Sequence, residues 1–174
     1  MKRLFLTAMA VFAVSAMFVS CSKQGQGEES SEDDGTKYAL FFNYGTKSHV
    51  TSETPVLNDI LNKAKELTVE ADIALYGGTG KESPFRQELS AKTEKDAKAE
   101  YNKLVEKAKS KGAEIITELN KMKEAKAAAI AEYPKDMYLN LDFGFMLLKY
   151  TPEMIGGDTV AETDCGEFKV AGSK

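Results

Sequence analysis

Polar and apolar residues alternate most cleanly in "MYLNLDFGFMLLKY", which puts Met137, Leu139, Leu141, Phe143 and Phe145 on one face and Tyr138, Asn140, Asp142 and Gly144 on the other. A period of two predicts a half-buried strand. The change to continuous apolar residues at "FMLL" marks a bulge at Gly144. "KYALFFNYG", residues 37 to 45, mixes aromatic and aliphatic side chains and ends on glycine, which predicts a buried strand. "EADIALYGG" predicts another, stopped by Gly77 and Gly78, and "GEFKVAG" adds a last edge strand after the "IGGD" turn.

Helical spacing fills the intervals. Thr54 stands as N-cap with Pro55 at the first helical position, and Val56, Leu57, Ile60, Leu61, Ala64 and Leu67 recur on one side, predicting a helix over about 55 to 68. Ser83 and Pro84 repeat that start signal. A helical pattern then continues through Phe85, Leu89, Ala97, Tyr101, Leu104, Ala108, Ile115, Leu119, Met122, Ala129 and Tyr133 until Pro134 ends it. Glu88 with Lys92 and Glu94 with Lys98 stand four apart in the favourable order. A single rod over this stretch is roughly 75 Å long, whereas a domain of this size has a radius of gyration near about 14 Å. Gly112, after a lysine-rich turn, offers a left-handed C-cap, so a hairpin with arms 84–110 and 113–133 is expected in preference to one unbroken helix. Thr93 and Asp96 form a near capping box and a second possible start. The order of elements predicts an α+β fold: a mixed or antiparallel sheet of about four strands, carrying a short helix and a long helix or helical hairpin on one face.

The N-terminus follows a different pattern. Lys2 and Arg3 precede the uncharged run "LFLTAMAVFAVSAMFV", which leads to Ser20 and Cys21. A basic start and an apolar stretch short of the roughly twenty residues that span a bilayer have the layout of a secretory signal. "Phe18-Val19-Ser20-Cys21" resembles a bacterial lipobox, departing from it in Phe at −3 and Ser at −1. The resemblance implies that residues 1–20 are removed and that Cys21 is acylated and becomes the mature N-terminus. Several acyl chains anchor far more firmly than one, because each buried CH₂ contributes about 0.8 kcal/mol. Residues 22–36 carry no aliphatic or aromatic side chain, so 21–36 reads as a lipidated, disordered acidic tether and 37–174 as a single domain. The run "EESSEDD" from Glu28 to Asp34 resembles the acidic surface-export signal behind the lipidated cysteine of some Gram-negative lipoproteins. On that resemblance, cell-surface display on the outer membrane is favoured over a periplasm-facing anchor.

Charge and composition narrow the chemistry. The formal net charge is −4 over 174 residues, with the acids crowded in the tether and near balance after Tyr38. Nucleic acid as a partner is therefore not expected, since phosphate neutralisation needs excess Lys and Arg. With two cysteines, one histidine and no tryptophan, no metal site is expected. "ALYGGTGKES", residues 74–83, looks like a phosphate loop, but Leu75 stands where the first glycine belongs and Glu82 where the hydroxyl belongs. His49, with Ser48 and Ser52, lacks a nucleophile elbow and reads as a histidine behind a "GTKS" surface turn. Asn140 and Asp142 sit on the polar face of the best strand, the solvated side of a sheet unless they line a pocket. Cys165 in "ETDCGEF" is left unpaired if Cys21 carries lipid; free thiol, dimer bridge and loop residue stay unranked. "DTVAETDCGE" bunches acidic oxygens loosely, which suggests weak calcium binding, but it lacks the ordered loop spacing of a calcium site.

The expected function is a non-enzymatic binding or structural module of the bacterial envelope, with no catalytic residue, cofactor or metal. Cys21 is its lipidation site and membrane lipid its one assigned partner. Two alternatives stand beside it. Long Lys- and Glu-rich helices on a small sheet loosely resemble the periplasmic Skp/OmpH type of chaperone, although "ADIALYGG" interrupts that order. The other is an extracytoplasmic enzyme whose site is not recognisable from motifs.

Overall fold

The computed structural model describes residues 35–76, 87–151, 153 and 157–174. The chain runs β1 (Lys37–His49), α1 (Pro55–Tyr76), β2 (Gln87–Glu88), α2 (Glu94–Ala125), α3 (Ala127–Ala131), β3 (Tyr138–Tyr150) and β4 (Asp158–Ala171). All strand pairs are antiparallel, in one sheet of order β2-β1-β3-β4. The predicted α+β class holds.

The sheet is built on β1 and β3, which pair from Lys37 opposite Tyr150 to His49 opposite Tyr138 without a register shift. Strand periodicity sends Leu40 and Phe42 to the same face as Leu139, Leu141, Phe143, Phe145 and Leu147, and all seven are buried. Leu57, Ile60, Ala64, Ala71 and Leu75 of α1 and Ala97, Tyr101, Ala108, Ile115 and Leu119 of α2 join them in one core.

β4 reaches this core by means of an irregularity. Phe143 faces Gly166 and Gly144 faces Asp164, so Cys165 is an extra residue on β4, and Gly166 takes a φ of 109°. The insertion corrects the parity. Ala161 and Thr163 on one side of it, and Phe168 and Val170 on the other, all meet the inward face of β3, which an unbroken period of two forbids. The bulge expected at Gly144 is thus present, with its extra residue on the opposite strand. A second shift, between Leu147 and Leu148, spares Val160 in the same way.

Several local expectations are overturned. "EADIALY" is the end of α1, because the buried spacing Leu57, Ile60, Ala64, Thr68, Ala71, Leu75 runs on unbroken. The glycines read as a strand stop therefore follow a helix, and α1 ends at Tyr76 instead of near 68. Long helix α2 begins at Glu94, on the Thr93 cap whose Oγ1 accepts the Asp96 N–H at 3.2 Å, and the two-residue β2 precedes it. The "GTKS" turn is strand, since β1 extends through His49. The Ser83–Pro84 start signal lies outside the described residues.

No hairpin forms at Gly112. α2 runs straight through it, and the helix first breaks at Lys126, after which α3 follows. The reason is proximity: a Cβ at Gly112 stands 2.1 Å from the Cys165 carbonyl oxygen and 2.7 Å from its Cβ. Glycine here lets the helix backbone touch the bulged strand, a gain in packing that offsets the roughly 1 kcal/mol lost in helix propensity. α1 solves its start differently from the expected cap. Thr54 Oγ1 turns back to Thr51, accepting its N–H and donating to its carbonyl, both at 3.0 Å, while the Tyr133 hydroxyl accepts the Val56 N–H at 3.3 Å.

Gly112→Ala is expected to destabilise the fold by about 1–3 kcal/mol, the usual cost of overpacking. On an exposed helix the same change stabilises by about 1 kcal/mol, so the sign of the shift in a urea denaturation curve decides whether the close approach exists.

Candidate functional site

Both helices lie on one face of the sheet, so the groups available to a partner are those on the opposite face and along the outer strand edges. On the opposite face the register brings Gly45, Asp142 and Glu167 into one row and Lys47, Asn140 and Lys169 into the next. Asn140 and Asp142 are half-buried there among charged neighbours. Between α1 and α2 an open groove of ≈ 670 Å³ is lined by Leu67, Ala71 and Ile115, with Glu70, Glu114 and Glu118 at its sides.

The β1 edge has its own device, one that sequence patterns do not announce. The Leu89 N–H donates to the Tyr38 carbonyl at 2.8 Å, which turns the even-numbered residues of β1 toward β2 and the odd-numbered ones toward β3. Phe42 is the first even-numbered residue beyond the described pairing with β2. Its N–H is taken by Asp72 Oδ1 of α1 at 3.3 Å, so a carboxylate occupies a main-chain donor of β1 beyond the described pairing with β2. Burial pushes the Asp72 carboxyl above its usual range, and the Phe42 bond partly opposes that shift. The only advance signal was an acid on an otherwise apolar helix flank.

A second group of polar side chains lies in the helix–sheet seam. The Phe145 ring stacks on Tyr101 at 4.9 Å between centroids with planes 6° apart, and on Tyr76 at 6.4 Å and 30°. Tyr101 donates to the Phe145 carbonyl at 3.3 Å and its hydroxyl lies 2.5 Å from Thr163 Oγ1. The Tyr76 hydroxyl is buried and has no hydrogen-bond partner among the described residues. Burial pushes both phenols up, and it pushes the Cys165 thiol up to about 12 with help from Asp164. At neutral pH these groups are uncharged, so none is an activated nucleophile.

The sequence candidates are scattered. Cys21 and residues 77–83 of "ALYGGTGKES" lie outside the described residues; Ala74, Leu75 and Tyr76 form the last turn of α1, where Lys107 Nζ donates to the Ala74 carbonyl at 2.5 Å. His49 is exposed at the end of β1, with Nδ1 3.0 Å from the Asp136 carbonyl. Cys165 is a buried free thiol within a strand. The acids of "DTVAETDCGE" are spread along β4, where Asp164 Oδ1 accepts the Gly166 N–H at 2.7 Å and Glu167 pairs with Lys169 at 2.6 Å. Among the described residues, no three His, Cys, Asp or Glu side chains are grouped to hold a metal ion.

No family model, curated protein or solved structure matches this chain.

Two measurements bear on these groups. Ionised Asp72 is disfavoured in the fold, so its cost is present above the folded pKa and vanishes below the unfolded one. Asp72→Asn keeps an acceptor and removes the charge; it should gain stability over wild type at about pH 7 and match it near about pH 3. Asp72→Ala, which strands the Phe42 N–H, should lose about 1 kcal/mol. In a Cys21→Ala chain, whose remaining thiol is Cys165, alkylation should be slow in the native state and fast in urea.

Proposed function

We propose that this protein is a bacterial envelope lipoprotein, anchored by acyl chains on Cys21, whose domain is a non-enzymatic binding or structural module displayed on the surface side of the outer membrane. The observation that carries the reading is the order of the first 36 residues: a basic start, an uncharged apolar run, a cysteine, then an acidic stretch without one aliphatic or aromatic side chain. Such a stretch gives reach without competing for a core.

The folded part supports the non-enzymatic half through what its reactive groups are doing. Cys165, Tyr76 and Tyr101 are held neutral in packed surroundings, and His49 is engaged at an exposed strand end. The alternative of a chaperone with projecting arms is weakened by α2, whose apolar stripe from Ala97 to Leu119 is buried against the sheet.

Metabolic labelling with a fatty-acid analogue tests the anchor. Wild-type chain should incorporate the label and Cys21→Ala should not; equal incorporation refutes the assignment. Protease added to intact cells should then degrade the domain, whereas protection until the outer membrane is opened would turn it to the periplasm.

A further inference from the structure

We draw no further inference here: the strongest candidate, the open groove between α1 and α2 over Leu67, Ala71 and Ile115, has a rim on which Glu114 and Glu118 are already paired with Lys111 and Lys121, and nothing in the structure shows what covers it.

Discussion

The close approach of α2 to β4 at Gly112 and Cys165 governs the arrangement of the domain. A helix backbone in contact with a strand requires a residue without a Cβ on one side, and the bulge at Cys165 on the other brings the strand forward to meet it. With α2 seated there, Tyr101 reaches Phe145 and Thr163, and the gap left over β1 is filled by α1. Lys107, donating to the Ala74 carbonyl, then ties the two helices where α1 ends. The positive charge near that terminus also meets the negative end of the helix dipole.

Placing both helices on one face decides what remains for recognition. The covered face is apolar and closed. The rest of the molecule presents rows of mixed charge and, along β4, an edge made irregular by insertions. Cys165, Tyr76 and Tyr101 are packed into the seam, where burial pushes the thiol and both phenols up and holds them neutral.

Sequence patterns resolved the parts governed by local periodicity. β3 was legible because one face is buried and the other wet, and the start of α1 because proline and a threonine mark it. Thr93 with Asp96 announced the true start of α2, although a competing signal at Ser83–Pro84 drew the boundary earlier. What misled were residues whose meaning is tertiary. Gly112 reads as a terminator unless the strand beneath it is known, and Ala71 to Leu75 read as a strand because their β-forming neighbours outweighed a helical spacing that had not ended. Asp72 was invisible as a sheet residue, since its partner, Phe42, is thirty positions away.

The aromatic stack in the seam has a practical meaning as well. The chain has no tryptophan, so its near-ultraviolet signal comes from its tyrosines and phenylalanines. Tyr76, Phe145 and Tyr101 belong to α1, β3 and α2 respectively, and they hold one another at fixed angles. Optical activity from these rings therefore reports the docking of both helices onto the sheet at once. Far-ultraviolet signal, which follows helix content, would persist if the helices merely came loose. The protein thus carries its own spectroscopic distinction between being folded and being packed.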